Sequence, residues 1–336
     1  MKLPKLEDLD VGGKRVLVKA DLDLPTRRQS ENKESFRLKA LIPTLKYLIE
    51  KKAKIIVIGH RGRPGGKEVD SLSLEPVSKL LEKLINNSLS KDLRKGLDMH
   101  MMENLRFNPG EESNNEHYAK HLAESGDVYI NEAFAASHRK HASVVGLPKY
   151  LPHAAGFRFQ EEIDNLSKVL DNPKKPVVMV ISGKKEDKLS YLKSFDKLAD
   201  KILLAGRLPE YFEDEKDLPV SMQKGKLVVA KLLPDKEDIT LHSIERFEEE
   251  IQNAGTILLS GPIGKFEEDG HRQGTERVFN AVAESNAFKV AGGGETQKAL
   301  SLLKLEDKFD WVSIGGGAML EFLAHGTLPG IEALIN

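Results

Sequence analysis

The residues able to do chemistry in this chain gather just after short apolar runs. Residues 55–58, Ile-Ile-Val-Ile, run into Gly59-His-Arg-Gly-Arg-Pro64. Four consecutive β-branched residues stopped by glycine predict a strand buried on both faces. In an open α/β sheet, ligands bind at the loop after a parallel strand, so His60, Arg61 and Arg63 are presented where an anion could sit. Residues 16–18 form another apolar run, ending in Lys19-Ala-Asp-Leu-Asp-Leu-Pro25. Asp21 and Asp23, at a strand end before a proline, fit a metal site, an acceptor for hydroxyls or a solvated turn; the turn is the plainest reading. Residues 99–102 lead into Glu103-Asn-Leu-Arg-Phe-Asn-Pro-Gly-Glu-Glu112, which sets Arg106 beside a turn, and residues 127–131 lead toward His138, Arg139, Lys140 and His141. One exposed arginine means nothing. Arg37, Arg63, Arg106 and Arg139 on one sheet edge would make a basic pocket for a small phosphorylated or carboxylated ligand, because the guanidinium fork matches such groups bidentately. Unrelated surface charges are the alternative.

The second half repeats the arrangement with different residues. Residues 177–181 enter Ser182-Gly-Lys-Lys-Glu-Asp-Lys188, where amides and lysines at a strand-to-helix junction favour phosphate. The run lacks the Walker A spacing, and a solvated lysine cluster is its commoner meaning. Residues 256–259 end in Ser260-Gly-Pro-Ile-Gly-Lys-Phe-Glu267. Residues 288–291 enter Gly292-Gly-Gly-Glu-Thr296, and residues 311–314 enter Gly315-Gly-Gly317. Gly292, Gly293 and Gly294, like Gly315, Gly316 and Gly317, would let the backbone approach a ligand closely with a helix N-terminus behind it. Glu295 adds a candidate Mg²⁺ ligand and Thr296 a hydroxyl for phosphate. Two such turns favour nucleotide binding; neither matches G-x-G-x-x-G, which argues against a nicotinamide dehydrogenase.

These loops must be held by strands and helices. Leu38, Leu41, Ile42, Leu45, Leu48 and Ile49 have helical spacing, with Arg37 at the helix start; Pro43 fits only if the helix begins near it. Ser73 is a candidate N-cap for the helix carrying Val77, Leu80, Leu81, Leu84 and Ile85, and a polar linker follows it. Residues 118–123 predict a short helix, and Phe159 to Leu170 a long one closed by Asn172-Pro173 that separates two runs of strand–helix units. Beyond it, residues 202–204 and 227–229 read as strands, and 244–251 and 278–282 as helix faces. Residues 27–33 and 213–217 read as charged or polar loops. The alternation with short connections predicts mostly parallel sheets.

Composition excludes several classes. A chain of 336 residues suggests two domains, and 40 % apolar content supplies ample core. A net charge of −1 argues against a general nucleic-acid binder. There is no cysteine, hence no disulfide framework or thiolate site. No apolar h-region opens the chain and no run approaches a membrane span, so a cytoplasmic protein with no membrane partner is expected.

Taken in order, these motifs resemble those of phosphoglycerate kinase. The likeness rests on Lys14 to Pro25, Gly59 to Pro64, Glu103 to Glu112, Asn131 to Gly146, Ser260 to Glu267, Gly292 to Thr296 and Ser313 to Ala318. It implies two doubly wound parallel-sheet α/β domains facing a central cleft, joined by a long interdomain helix. The expected division is 1–156, an interdomain helix at 157–172, 173–317, and a returning segment at 318–336. The resemblance implies that Asp21, Asp23, Arg37, His60, Arg63, Arg106 and Arg139 hold 3-phosphoglycerate. Lys184 and Lys188 would meet the nucleotide phosphates, with Pro262 against the base, Glu267 on the ribose, Glu295 at the metal and Thr296 at the phosphates. Substrates are then 3-phosphoglycerate with ADP or ATP and Mg²⁺; a monomer is expected.

The chain departs from that pattern in places. Asp23 stands where the family has asparagine, and Glu295 where it has aspartate. The phosphate-side loop is one residue shorter, leaving Lys184 and Lys185 as alternatives. Ala205-Gly-Arg-Leu-Pro-Glu-Tyr-Phe212 replaces a glycine-rich adenine-side segment, and residues 209–256 are abbreviated. The resemblance implies in-line phosphoryl transfer without a protein nucleophile, with Arg37 and Lys188 on the moving group and hinge closure bringing the ligands together. A divergent relative that binds phosphoglycerate without efficient transfer is the competing expectation.

Overall fold

A computed structural model describes residues 2–24, 35–184, 186–212 and 225–336. The stretches 27–33 and 213–217, and Lys185, lie outside the described residues. The chain divides into two compact units, Met1–Asp164 with Thr327–Asn336, and Asn165–Gly326.

The first unit is built on a parallel sheet. Its strands are β1 (Arg15–Lys19), β2 (Lys54–Ile58), β3 (Asp98–Met101), β4 (Val128–Asn131) and β5 (His153–Ala155), in the spatial order β3-β2-β1-β4-β5. Val16, Leu17 and Val18 are fully buried, as a central strand covered on both faces requires. Helices α1 (Ser35–Glu50), α2 (Glu75–Ser88), α3 (Lys91–Lys95), α4 (Pro109–Glu112), α5 (Glu116–Ala123) and the start of α6 (Phe157–Asp171) connect and cover the strands. The second sheet holds β6 (Val177–Gly183), β7 (Lys201–Gly206), β8 (Leu227–Val229), β9 (Thr256–Ser260), β10 (Phe288–Gly292) and β11 (Trp311–Ser313), in the order β11-β10-β9-β6-β7-β8. Its helices are α7 (Leu241–Gln252), α8 (Gln273–Glu284), α9 (Gly294–Leu303) and α10 (Gly316–His325); α11 (Pro329–Ile335) belongs to the first unit. All paired strands are parallel.

Several sequence expectations shift. Helix α1 begins at Ser35, so Pro43 lies inside it. A proline in a helix interior costs about 3 kcal/mol. Leu38, Leu41, Leu45, Leu48 and Ile49 are all buried beneath it, at roughly 1.5–3 kcal/mol each, so burial wins. The cap of α2 is Leu74, not Ser73, although the Ser73 hydroxyl still accepts from Glu75 N–H at 3.2 Å. The polar linker after α2 contains α3, capped by the Ser90 hydroxyl. The units divide within α6, between Asp164 and Asn165, and the chain re-enters the first unit at Thr327 rather than at 318. Helix α10 accounts for the difference: its buried Met319 and Phe322 belong to a helix that packs on the second unit's own turns at Glu186–Tyr191 and Ser194–Asp196.

Candidate functional site

In the first unit the chain runs outward from β1 through β2 to β3 and then crosses back to place β4 on the other side of β1. Such a switch point opens a crevice at the carboxyl ends of the strands. Asp21 is buried there and Asp23 is exposed, yet both carboxylates are bonded to neighbouring loops. Asp21 accepts Ala135 N–H at 2.8 Å, from the loop after β4, and Asp23 accepts Gly62 N–H at 2.9 Å, from the loop after β2. The carboxylates therefore tie together the loops on both sides of β1. Arg37, in the first turn of α1, donates to the Asp23 carbonyl at 2.8 Å. Burial raises the Asp21 pKa, against the opposing Arg37 charge.

The arginines divide into two kinds. Arg61 is a strut: buried, it donates to the Leu24 and Ser73 carbonyls at 3.3 and 2.8 Å, which corrects its reading as an anion contact. Arg106, Arg139 and Arg63 form a charge group. Burial and then Arg139 lower the Arg106 pKa; burial and then Arg63 lower that of Arg139; Asp23 opposes both shifts. Arg106 donates to the Gly62 carbonyl at 2.6 Å, and its Nε lies 3.1 Å from Glu112, close enough for an ion pair but not aligned as a hydrogen bond. Arg63 is exposed. Like charges are held together here by the fold, and an incoming anion relieves them.

His60 is no cation. Burial, followed by Lys19, Arg106 and Arg139, holds it well below 6.5, so at pH 7 the ring is neutral. His141 is pushed down to about 3, chiefly by burial. The sequence reading missed the residues beneath this layer. Asn104 bonds Arg61 and Arg106 N–H groups through Oδ1, at 3.2 and 3.1 Å, and the Arg61 carbonyl through Nδ2 at 2.7 Å. Lys19 and Glu111 are both fully buried, 3.7 Å apart. A lysine directly after the apolar run of residues 16–18 was the available signal. Glu132 caps α6, accepting Arg158 and Phe159 N–H at 3.2 and 2.8 Å and the Thr44 hydroxyl. Burial raises its carboxyl to about 7.

The second unit has its switch point between β6 and β9, where Ile181 pairs with Ser260. Lys188 is stapled into it. Its ammonium donates to the Ser182 carbonyl at 2.5 Å and to the Ser260 carbonyl and hydroxyl at 3.1 Å each, using all three of its donors. Burial lowers its pKa to about 8. To meet a phosphate, Lys188 must exchange these protein oxygens for ligand oxygens. The run after β6 leads into a 3-10 helix, Glu186–Tyr191, not an α-helix, and Lys184 is exposed. The Ser182 hydroxyl donates to the Pro262 carbonyl, and Gly261 beside it has φ +103, where a Cβ would lie 2.1 Å from the Ser182 carbonyl oxygen. Pro262 is half-buried and Glu267 exposed.

The six turn glycines do different jobs. A Cβ at Gly316 would stand 2.7 Å from Gly293 Cα, so the two turns touch backbone to backbone. At Gly292 it would meet Met319 at 2.5 Å, and Gly293 has φ +107. These positions are explained by packing. At Gly294 and Gly317 nothing lies within 4 Å, so the first turns of α9 and α10 open onto free space. The first-turn amides there have no acceptor within their helices, a geometry suited to an anion. The Thr296 hydroxyl is not part of that surface. It donates to the Gly292 carbonyl and accepts Gly261 N–H, both at 2.8 Å, which corrects its expected role as a phosphate donor. Glu295 is exposed and paired with Lys298 at 2.6 Å. Among the described residues no three His, Cys, Asp or Glu side chains gather around a metal position. A lone carboxylate still fits Mg²⁺, which takes one or two carboxylates plus substrate phosphates.

Comparison with known proteins agrees with this layout. The model of the family "Phosphoglycerate kinase" matches residues 6–236 and 222–326. The chain is 34 % identical to phosphoglycerate kinase of Dictyoglomus turgidum over 388 aligned positions, covering 98 % of this chain and 97 % of the relative. That alignment is longer than the 336 residues here, so this chain lacks segments the relative has. Among solved structures, phosphoglycerate kinase from Coxiella burnetii superposes with a TM-score of 0.80 at 31 % identity over 99 % of both chains. The enzyme from Pyrococcus horikoshii gives 0.83 at 26 % identity over 98 % of both. No helix among the described residues is long and apolar enough to cross a membrane.

Proposed function

The chain belongs to the phosphoglycerate kinase family, and from that premise we propose that it transfers a phosphoryl group reversibly between 1,3-bisphosphoglycerate and ADP, giving 3-phosphoglycerate and ATP. The observation that carries this reading is the coupled charge group of Arg63, Arg106 and Arg139 around Asp23, at the switch point of the first sheet. It matches a small ligand with a carboxylate and a phosphate. We assign Asp21, Asp23, Arg37, His60, Arg63, Arg106 and Arg139 to phosphoglycerate. Neutral His60 offers a hydrogen bond rather than charge.

The nucleotide is assigned to the second unit. The amides of the Gly292–Gly294 and Gly315–Gly317 turns receive its phosphates, with Lys184 and Lys188 beside them, Pro262 against the base and Glu267 on the ribose. Thr296 contributes its N–H, its hydroxyl being committed. When bound, Mg²⁺ supplies charge neutralisation on the nucleotide phosphates, with Glu295 as its protein ligand. Transfer needs no protein nucleophile: the substrate carboxylate and the nucleotide β-phosphate oxygen exchange the group in line. Arg37 and Lys188 are assigned to stabilise charge on the equatorial oxygens of the moving group. The working state is a monomer in the cytoplasm, which light scattering and fractionation test.

A coupled assay with 3-phosphoglycerate and Mg-ATP, repeated with other nucleoside triphosphates, tests the proposal. The second reading, a relative that binds phosphoglycerate without efficient transfer, is favoured by Lys188 being satisfied internally and Glu295 by Lys298. Calorimetry separates the two: phosphoglycerate binding with no Mg-nucleotide binding selects the second.

A further inference from the structure

Ser143 is an anchored point close in sequence to Arg139. Its N–H and hydroxyl both donate to the Glu111 carboxylate, at 3.0 and 2.5 Å, and its carbonyl accepts from the Tyr129 hydroxyl at 2.7 Å. All three of its polar groups are therefore fixed, from two different elements. Glu111 comes from α4, a short helix whose next residue, Glu112, faces Arg106 at 3.1 Å. Glu111 is itself fully buried, and an isolated buried carboxylate is costly. Lys19, also fully buried, lies 3.7 Å away at the end of β1, and the His141 ring nitrogen lies 3.8 Å away. His141 is neutral, so Lys19 supplies the balancing charge. The Lys19 ammonium has no hydrogen-bond partner of its own. Its position is thus set by charge balance, not by a local bond.

We propose that Glu111, charge-balanced by Lys19, is a positioning residue that seats the segment 138–143 and thereby aims Arg139 at the phosphoglycerate. Glu111 touches no reacting atom. It acts through Ser143, and its partner Glu112 acts in the same direction on Arg106, so one short helix sets two arginines. The inference rests on the phosphoglycerate reading of the first unit.

The test uses the full chain. Titration calorimetry with 3-phosphoglycerate, and KM for each substrate, are measured for the unchanged protein, Glu111→Gln, Ser143→Ala and the double variant Lys19→Met/Glu111→Gln. Glu111→Gln keeps the shape but weakens the acceptor, and should weaken phosphoglycerate binding about tenfold with KM for Mg-ATP unchanged. Ser143→Ala, which keeps the N–H bond, should weaken it severalfold. Should Glu111→Gln not fold because Lys19 is left unbalanced, the double variant removes that charge and should fold, with phosphoglycerate binding still weakened. A purely structural role would lower the melting temperature or shift both KM values together, and either outcome without selective loss of phosphoglycerate overturns the proposal. Binding by the variants within twofold of the unchanged protein also overturns it. Absence of phosphoglycerate binding by the unchanged protein overturns the functional reading and this inference together.

Discussion

The two switch points are built by opposite means. In the first unit side chains join the loops: Asp21, Asp23, Arg37 and Arg106 bond backbone groups of neighbouring loops, and Arg106 and Arg139 lie against like charge. In the second unit the backbone does it, through glycine turns that touch each other and two helix N-termini. A side-chain site needs counter-charges and a supporting layer, such as Lys19 with Glu111. A backbone site needs only close approach and correct φ. The first should therefore respond to pH and to single charge changes, the second to added volume.

The contrast can be broken at four points, taken from the largest effect down. Arg37→Ala should lower kcat about 10³-fold with little change in KM, the size expected when a donor to developing charge is lost. Intact turnover in that variant overturns the assignment of Arg37 to the moving group. Next is the pH dependence of stability. Glu132 is raised from 4.5 to about 7 in the folded protein, so between those values the folded state holds a proton that the unfolded state has lost. Stability then falls as pH rises through that window, by on the order of 3 kcal/mol, and levels off above it. Glu132→Gln should flatten the fall, as read by denaturant unfolding at pH 5 and 8; an unchanged slope assigns the dependence elsewhere.

Third, Gly316→Ala places a methyl against Gly293 and should destabilise the protein by about 1–3 kcal/mol while raising KM for the nucleotide. Gly317→Ala, facing open space, should leave stability unchanged and raise the nucleotide KM alone, the signature of a ligand-facing position. Smallest is Asp23→Asn. The amide keeps an oxygen for Gly62 N–H and for a substrate hydroxyl but removes the charge that balances Arg106 and Arg139 and repels an anion, so phosphoglycerate should bind about tenfold tighter, by calorimetry at low salt. Weaker binding would mean that the bond from Gly62 N–H matters more than the charge.

What could be read in advance follows the same division. Strand ends and their arginines were legible because charge after an apolar run is a local pattern, as at Arg106 and Arg139. The glycine runs were legible for the same reason, but not that Gly292 and Gly316 serve packing. That depends on which strands become neighbours. Arg61 and Arg63 look alike in sequence; only the carbonyls of Leu24 and Ser73 make one a strut. Glu111 and Glu132 gave no signal, because their partners are Ser143, Lys19 and Thr44, distant along the chain. Strand β5, His153–Ala155, is too short and its alanines too small for periodicity to mark it. Helix α1 ran through Pro43 because its buried face outweighed the missing bond.

Helix α11 has a consequence for synthesis. Its Gly330 N–H donates to the Ser137 carbonyl at 2.9 Å, just ahead of the segment that carries Arg139. Residues 327–336 follow the whole of 165–326 along the chain, so they leave the ribosome after it. The early-made unit therefore waits, without the Gly330 bond to its Ser137 carbonyl, until translation has passed through its neighbour.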